Sequence, residues 1–499
     1  MSARSICKLL LASACLAAPT PALAADCADL NRLAIDTVTT TATESREAGT
    51  FEQSFGPDLS LPAHCRVAAV LSPSEDSHIE MELWLPDEWN GKFLALGNGG
   101  WAGSISFSAM ATGLQSGYAV ASNDTGHKGG SAAFALGHPE KVVDFAWRAM
   151  HEMAVRSKQM IEAYYAQAPR LSYYEGCSTG GRQGMMAAQR FPEDFDAIIV
   201  GAPVYNVLAL NATQFHRMKT LIENRASALP PEKVRLLHDA VLAACEANDG
   251  VHDGFLNDPP ACNFEPESLQ CAEADGAACL SAEQVRAVKD AYVGVYSSDD
   301  ELIYPGHAKG FELAWRIPEE GAEPSTLQTD ATRYLVYEDP SWDWREFELE
   351  RDLALVRDKA GYIESLEPNL SEFKARGGRI LLYHGWNDPG PSPVNTIDYY
   401  NRVLATMGPD QDDWLRLYLM PGMGHCRGGI GPDRADFLGA MEAWVEDGVA
   451  PDRITAERIR EGRVDMTRPL CAYPQVAVWD GRGDPDHAES FACRDANEN

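Results

Sequence analysis

The stretch Leu171-Ser-Tyr-Tyr-Glu-Gly-Cys-Ser-Thr-Gly-Gly-Arg182 decides the fold class, because a strand pattern passes through a glycine turn into a helix pattern. Within it, Gly176-Cys-Ser-Thr-Gly180 fits GxSxG, the motif of a nucleophile on a sharp turn between strand and helix. A Cβ at either glycine would collide with the neighbouring strand or helix, so the hydroxyl of Ser178 is expected at the exposed apex. An ordinary tight turn is the alternative, since the motif can occur by chance.

Strand and helix patterns alternate on both sides of this turn. Such alternation implies right-handed crossovers and a mostly parallel sheet, so the sequence predicts an α/β fold. Strands are predicted at residues 92–96, 118–122 and 196–200, and helices at 142–165 and 182–191.

The alternation stops after Pro203 and resumes with strand patterns at residues 379–383 and 415–419, followed by a helix near 434–447. The intervening region holds its own cysteines and an aromatic-rich segment at 334–347, so we predict an inserted domain. The predicted organisation is a targeting segment at 1–24, a first core part at 25–203, the insertion at 204–375 and a second core part at 376–499.

Length and composition bound the class of protein. A chain of 499 residues exceeds the ~250–300 residues at which one core stops growing, which agrees with a large insertion. With 45% hydrophobic and 9% aromatic residues the chain can bury a large interior, which excludes a disordered or fibrous protein. The formal net charge of −32 repels phosphate backbones and anionic lipid surfaces, so neither nucleic acid nor a membrane is expected as a partner.

Residues 1–24 have the pattern of a secretory signal peptide. Arg4 and Lys8 flank the start of an apolar run at residues 9–18, which is followed by two prolines and the small-residue pattern Ala22-Leu-Ala24. The mature protein is therefore expected to begin near Ala25. A lipoprotein with lipidated Cys15 is the alternative, but the leucine of that motif stands one position too far upstream. No later apolar run is long enough for a membrane helix, so we expect a secreted or periplasmic protein.

Export changes the interpretation of the cysteines. The chain has twelve, and removing Cys7 and Cys15 with the signal peptide leaves ten, which allows five disulfides in an oxidising compartment. A zinc site is the rival interpretation, but no CxxC pair occurs. Proximity in sequence predicts the pairs Cys27–Cys65, Cys245–Cys262, Cys271–Cys279 and Cys471–Cys493, and leaves Cys177 and Cys426.

Two further residues complete a possible catalytic triad. Ser178 needs a base to accept its proton and a carboxylate to orient that base. Asp388 and His425 each follow a predicted strand, and Ser, Asp, His is the chain order of α/β-hydrolases. We therefore predict an α/β-hydrolase fold with a large insertion. In the alternative interpretation Asp388 forms a turn before proline and His425 lies in a surface loop.

The two remaining cysteines are the direct neighbours of the predicted nucleophile and base. If Ser178 and His425 form a hydrogen bond, their backbones lie close enough for a Cys177–Cys426 disulfide. The alternative is a pair of buried free thiols.

Acyl transfer also needs donors for the developing oxyanion. The backbone N–H of Thr179 is one candidate, and the glycine loop after strand 92–96 suggests Gly100 as the second, although these glycines could merely form a turn.

Three carboxylates, Glu246, Asp249 and Asp253, occur within eight residues, separated by glycines that let the loop curl around an ion. Hard oxygen ligands at this density favour calcium over zinc. A solvated acidic loop is the alternative.

Together these motifs resemble the tannase and feruloyl esterase family, which includes the hydrolase of mono(2-hydroxyethyl) terephthalate. The likeness covers nearly all of the chain after residue 24. It lies in Gly176–Gly184, Trp89-Asn-Gly91, Gly201-Ala-Pro203, Asp339-Pro-Ser-Trp-Asp343, His384-Gly-Trp-Asn-Asp388 and the His425-Cys426 pair.

The resemblance implies that Ser178 is the nucleophile, His425 the base, Asp388 its orienting acid and residues 204–375 a lid over the site. It also implies a structural calcium ion in the lid, whereas no organic cofactor is expected. The family's first calcium ligand is usually aspartate, so Glu246 departs from the pattern. The implied ligands are the carboxylates of Glu246, Asp249 and Asp253 and the carbonyls of Val251 and Phe255.

These features predict a secreted serine carboxylesterase that acts on small aromatic acid esters, free or attached to carbohydrate, through an acyl-enzyme. The acyl group could be hydroxycinnamate, gallate or a terephthalate monoester. A non-catalytic binding protein on a hydrolase scaffold is the alternative from another class.

Overall fold

The computed structural model describes residues 26–495, apart from residues 54–55, 102, 274–275, 316–317 and 320. The predicted signal peptide, with Cys7 and Cys15, lies outside the described residues. In the described part, no helix is both long and apolar enough to span a bilayer.

The strands of the described residues are β1 (Val38–Arg46), β2 (Gly49–Phe51), β3 (Leu59–Leu61), β4 (His64–Leu71), β5 (Ile79–Pro86), β6 (Lys92–Leu96), β7 (Ala119–Asn123), β8 (Leu171–Cys177), β9 (Ala197–Gly201), β10 (Gly294–Tyr296), β11 (Leu302–Pro305), β12 (Arg379–Gly385), β13 (Leu415–Met420), β14 (Arg434–Ala435), β15 (Arg453–Arg460), β16 (Arg463–Cys471), β17 (Gln475–Trp479) and β18 (Phe491–Asp495).

The α-helices are α1 (Phe107–Gln115), α2 (Pro139–Val143), α3 (Ala149–Tyr165), α4 (Thr179–Arg190), α5 (Val207–Glu223), α6 (Pro231–Cys245), α7 (Ala282–Val293), α8 (Thr326–Asp330), α9 (Leu349–Ala360), α10 (Ser371–Ala375), α11 (Pro393–Met407) and α12 (Phe437–Glu446).

A nine-stranded sheet forms the centre of the fold, in the order β1-β4-β5-β7-β6-β8-β9-β12-β13. The first four strands of this order pair antiparallel, whereas every pair from β7 to β13 is parallel. The α/β class and the mostly parallel sheet are therefore confirmed, while the antiparallel strands β1, β4 and β5 were not predicted. Because parallel strands end at the same edge, the loops that follow β6, β8, β12 and β13 meet there.

Helices cover both faces of the sheet, so its central strands are largely apolar. All five residues of β6 and all five of β9 are buried. On one face, Met153 of α3, Met185 of α4 and Val403 of α11 belong to one hydrophobic cluster. On the other, Met110 of α1 and Trp444 of α12 belong to a second.

The region between β9 and β12 contains helices α5–α10 and the β10–β11 hairpin. Part of it has its own core, in which Leu237 and Val241 of α6 pack with Val288 of α7. Another part shares a core with loops of the preceding segment, because Leu208 and Trp342 pack in one cluster with Trp101. The insertion is thus anchored to the loops at the carboxyl edge of the sheet.

The C-terminal strands lie outside the main sheet and also contact the insertion. The β17–β18 hairpin packs around Val251, next to the predicted calcium loop. The helix predicted near residues 434–447 begins only at Phe437, because Arg434 and Ala435 pair with β15. Asp436 then caps the helix, accepting a hydrogen bond from the backbone N–H of Gly439.

Candidate active site

Ser178 stands at the turn between β8 and α4 with φ 64° and ψ −120°, a conformation that a residue other than glycine rarely adopts. The flanking glycines make this turn possible. A Cβ at Gly176 would lie 2.7 Å from the carbonyl atoms of Gly180, and one at Gly180 would lie 3.0 Å from the oxygen of Asn98. The turn therefore has the strained, close-packed form that the GxSxG motif predicts.

His425 and Asp388 form a hydrogen-bonded pair in the loops after β13 and β12. Nδ1 of His425 donates to Oδ2 of Asp388 at 2.7 Å, and Oδ1 of Asp388 accepts from the N–H of Gly390 at 2.7 Å. The side chain of Asp388 is 0% exposed, whereas that of His425 is 34% exposed. This arrangement fixes the tautomer of the imidazole and leaves its Nε2 as the proton acceptor.

The carboxyl group of Asp388 keeps its charge despite its burial. Burial alone would raise its pKa, but the hydrogen bonds from His384 and His425 outweigh that effect and hold the pKa below the ordinary value. Asp388 can therefore stabilise a positive charge on His425.

The loops that carry these residues are joined by backbone hydrogen bonds. The N–H of Asn387 donates to the carbonyl of Met423 at 2.9 Å, and the N–H of Trp386 donates to the carbonyl of Met420 at 3.0 Å. A Cβ at Gly385 would lie 2.4 Å from the Met423 oxygen, so only glycine permits this close approach.

A disulfide ties the nucleophile turn to the histidine loop. Cys177 and Cys426 are bonded, with their α-carbons 6.0 Å apart, and they are the direct neighbours of Ser178 and His425. Within the described residues, no hydrogen bond joins the Ser178 hydroxyl to His425, a contact that is often long without bound substrate. The structure also contains the other expected pairs, Cys27–Cys65, Cys245–Cys262, Cys271–Cys279 and Cys471–Cys493.

The two residues expected to bind an oxyanion lie next to each other. Thr179 is the first residue of α4, where a backbone N–H has no partner within the helix. The hydroxyl of Thr179 donates to the carbonyl of Gly100 at 2.9 Å, and the N–H of Gly180 donates to the carbonyl of Asn98 at 2.8 Å. The glycine loop after β6 is thus held against the nucleophile turn.

One residue of this site was not assigned a role from the sequence. His384 is fully buried, and its Nε2 lies 3.1 Å from Oδ2 of Asp388, the oxygen that also accepts from His425. The only signal in the sequence was its place in the segment His384–Asp388 that supports the family resemblance.

The predicted calcium loop follows α6 in the chain and packs against the β17–β18 hairpin. Glu246 accepts from the N–H of Gly254 at 2.5 Å, and Asp249 accepts from the N–H of Val251 at 3.0 Å. Oδ2 of Asp253 pairs with Arg468 at 2.5 Å. Among the residues that the structure describes, no group of three or more His, Cys, Asp or Glu side chains is arranged to hold a metal ion.

The loop nevertheless has donor atoms suited to a hard cation. Oδ1 of Asp253 and Oδ1 of Asn257 are buried and have no hydrogen-bond partner in the described part of the chain. Burial, together with the nearby charge of Asp253, raises the pKa of Asp249 to about 6. Unpartnered buried oxygens and crowded carboxyl groups are costly without a cation, so these residues fit a calcium ion.

Comparisons with known proteins agree with this geometry. The family model for tannase and feruloyl esterase matches residues 65–494. An uncharacterized esterase of Xanthomonas campestris is 35% identical over 537 residues, which cover 96% of this chain and 92% of that protein. A probable feruloyl esterase B-2 of Aspergillus terreus is 34% identical over 478 residues, covering 91% of this chain and 89% of that protein.

Solved structures show the same relationship. The crystal structure of feruloyl esterase B from Aspergillus oryzae superposes with a TM-score of 0.88 at 29% identity, covering 94% of this chain and 99% of that one. The match therefore extends over the sheet, the insertion and the C-terminal strands together. The chain belongs to the tannase and feruloyl esterase family and is a carboxylic ester hydrolase.

Proposed function

We propose that this protein is an exported serine esterase that hydrolyses esters of aromatic acids, of the feruloyl esterase type. The observation that carries the proposal is the hydrogen bond of 2.7 Å between His425 and Asp388, placed beside a disulfide that joins the neighbours of His425 and Ser178. A serine, a buried aspartate and a histidine, in this chain order and at one sheet edge, are the arrangement that serine esterase chemistry requires.

In the proposed reaction, Oγ of Ser178 attacks the ester carbonyl carbon while Nε2 of His425 accepts its proton. Asp388 remains ionised and stabilises the imidazolium, in keeping with its lowered pKa. The backbone N–H groups of Thr179 and Gly100 bind the tetrahedral oxyanion. His425 then gives the proton to the leaving alcohol, and water, activated by His425, releases the acid from Ser178.

The aromatic acyl group is proposed from the family and from one apolar side chain at the site. Leu327 of α8 is 45% exposed, and its Cδ1 lies 3.7 Å from the position that a Cβ at Gly100 would occupy. An exposed apolar side chain beside a proposed oxyanion donor is suited to pack against a ring attached to the reacting carbonyl.

The inserted region is proposed to act as the lid of this site. Gln214 of α5 donates to the carbonyl of Gly390 at 3.3 Å, and Asn387 donates to the carbonyl of Gly310 at 2.9 Å. The hydroxyl of Tyr304 in β11 accepts from the N–H of Ser392 at 3.1 Å. Since these contacts lie on the loop that carries Asp388, changes in the insertion should alter substrate choice.

A structural calcium ion is proposed for the acidic loop of the insertion. Its ligands would be the carboxylates of Glu246, Asp249 and Asp253 and the carbonyls of Val251 and Phe255. Bound there, calcium supplies positive charge that neutralises the crowded carboxylates and takes no part in ester chemistry. The unpartnered oxygen of Asp253 supports this assignment.

Export is supported by the disulfides and by the signal-peptide pattern at residues 1–24. We propose that the mature protein works in the periplasm or outside the cell, on aromatic esters that are free or attached to carbohydrate.

The proposal is tested with the purified protein and a panel of methyl ferulate, methyl gallate, mono(2-hydroxyethyl) terephthalate and an aliphatic ester of similar size. We expect at least one aromatic ester to be preferred. Ser178→Ala should lower kcat by about a thousand-fold or more with little change in Tm, because it removes a single hydroxyl of a half-buried residue at a turn. Ser108→Ala, at an exposed serine of α1, is the matched control and should behave like the wild type.

Asp388→Asn should be nearly as damaging as the loss of the serine, because an amide favours the wrong imidazole tautomer. A preference for the aliphatic ester would overturn the aromatic substrate class. Turnover above about 1% in Ser178→Ala would overturn the serine mechanism.

A further inference from the structure

His384, the second-last residue of β12, contacts the carboxylate that orients the proposed catalytic base. Its Nε2 lies 3.1 Å from Oδ2 of Asp388 and 3.1 Å from the carbonyl oxygen of Pro391. Nδ1 lies 2.7 Å from the hydroxyl of Thr396 in α11. Because a carboxylate and a carbonyl can only accept, Nε2 must carry the proton and donate it.

Asp388 therefore has two histidines on one oxygen. Oδ2 accepts from Nδ1 of His425 and from Nε2 of His384, while Oδ1 accepts from the N–H of Gly390. The triad needs only the bond between Asp388 and the base, His425. The second donor, His384, therefore needs another explanation. Its two effects on the carboxylate are to restrict its rotation and to withdraw negative charge from Oδ2.

We propose that His384 is a positioning residue for ester hydrolysis, which holds Asp388 in the orientation that faces His425 and makes the shared oxygen less basic. This inference rests on the proposed triad. A less basic Asp388 stabilises a positive charge on the imidazole of His425 less strongly, which favours the free base that accepts the proton of Ser178. The free base, and with it activity, then extends further into the acid range.

Other groups near the cluster must be separated from this effect. Burial lowers the pKa of His307 to about 3 and raises that of Tyr304, so neither gains or loses a proton between about pH 5 and 9. Burial also raises the pKa of Glu175. Protonation of Glu175 is therefore the rival explanation for the acid limb, the fall of kcat/KM at low pH. Tyr304 and His307 interact with the charge of Asp388 directly, and Arg217 interacts with both of them. Glu175 interacts with Arg427 and Asp436, and the N–H of Arg427 donates to the carbonyl of His425 at 2.7 Å.

Two substitutions separate donation from packing. His384→Met fills a similar volume but has no donor, whereas His384→Gln places an amide N–H near the position of Nε2. For both, kcat and KM are measured across the pH range, together with Tm. In His384→Met, we expect kcat to fall about ten-fold or more and KM to change less than about three-fold. The apparent pKa of the acid limb of kcat/KM should rise by about 0.5–1 unit.

His384→Gln should keep most of kcat and leave the acid limb within about 0.2 units of the wild type, since it still donates to Oδ2. If His384→Met fails to fold, His384→Asn replaces it, because the shorter amide mimics Nδ1 and cannot reach Asp388. A structural role alone would lower Tm in these variants and leave the limb unmoved.

A matched control exists in the insertion. His238 is also buried, and its Nδ1 lies 2.9 Å from a carboxylate oxygen of Glu312. His238→Met loses a buried histidine–carboxylate bond, so its Tm should fall while its acid limb stays in place. Glu175→Gln should likewise keep the wild-type limb.

The inference is wrong if His384→Met, or His384→Asn in its place, retains the wild-type limb and kcat, or if the limb is lost in Glu175→Gln. Failure of the triad itself gives a different pattern, since Ser178→Ala and Asp388→Asn would then remain active. Inactive triad variants beside a wild-type profile for the His384 variants would reject only the role of His384.

Discussion

Thr179 contributes two polar groups to the site, although only its backbone was expected to act. Its N–H is proposed to bind the oxyanion, and its hydroxyl donates to the carbonyl of Gly100 at 2.9 Å. Thr179→Val keeps the shape and removes this bond, so kcat should fall about ten-fold with a smaller change in KM, because Gly100 loses its support.

Thr179→Ser keeps the hydroxyl and is the matched control for this prediction. Steady-state kinetics on one aromatic ester, with Tm measured in parallel, provide the comparison. Equal kcat in the valine and serine variants would mean that other contacts, such as the bond between Gly180 and Asn98, hold the loop alone.

Residues of the site differ in how far the sequence predicts them. Ser178, Asp388 and His425 each follow a strand pattern, and Ser178 and His425 also stand beside cysteine, so their chain order suggests a triad. His384 lies inside a buried strand, where a histidine has no distinguishing neighbour. Its role depends on the packing of Thr396 and Pro391 around the ring, which is tertiary information.

At the scale of elements, the Cys177–Cys426 disulfide links two loops separated by 249 residues. Replacing both cysteines with serine should lower turnover by about 100-fold, since a shift of about 1 Å between nucleophile and base has such an effect. Stability should fall by about 2–5 kcal/mol. Turnover must be measured well below Tm so that unfolding does not contribute.

The double replacement of Cys271 and Cys279 is the control for that prediction, because this disulfide spans only 8 residues in the insertion. We expect a loss of stability with nearly unchanged turnover. Equal loss of turnover in both double variants would show that the Cys177–Cys426 bond has no special effect on alignment.

The acidic loop of the insertion provides a second prediction at this scale. Removing calcium with a chelator should lower Tm, and added calcium should restore it. Calcium at 100 times its Kd should raise the free energy of unfolding by roughly 2.7 kcal/mol. Asp249→Asn should lose most of this response, whereas Glu265→Gln, an exposed acidic residue outside the predicted ligand set, should keep it. An unchanged Tm together with metal analysis that finds no calcium would reject the site.

Strands with short apolar runs that are buried throughout were predicted to within a residue, as for β6 and β9. Their burial on both faces produces a pattern that does not depend on their partners. Arg434 and Ala435 show the limit of such predictions. They were predicted to begin a helix near residues 434–447, but they pair with β15. Strand β1 was missed because only its pairing with β4, rather than an apolar run, defines it.

At the scale of the whole molecule, the insertion is not a separate body. Tyr304 and Trp342 of the insertion share a hydrophobic cluster with Trp101, in the loop after β6, and with Phe145, in the helical turn that leads into α3. The interrupted alternation of strand and helix patterns predicted an insertion at residues 204–375, but the contacts of this region with the loop that carries Asp388 could be seen only in the fold. The substrate site and the insertion are therefore expected to respond together to substitutions at their boundary.

The net charge of −32 supports a prediction for the entire protein. An excess of carboxylates repels itself in the folded state, and salt screens this repulsion because the Debye length falls from about 30 Å at 0.01 M to about 10 Å at 0.1 M. Exposed ion pairs, such as Lys128 with Glu80, weaken with salt but contribute at most about 1 kcal/mol each. We therefore expect repulsion to dominate and Tm to rise with added NaCl.

The rise should be steepest below about 0.15 M, where the screening length changes most, and should be measured at fixed pH and fixed calcium concentration. Tetramethylammonium chloride at the same ionic strength is the control, since screening depends on ionic strength and a specific sodium site would separate the two salts. A Tm that is flat or falls between 0.01 and 0.15 M would show that ion pairs, rather than the net charge, govern the electrostatic free energy of this fold.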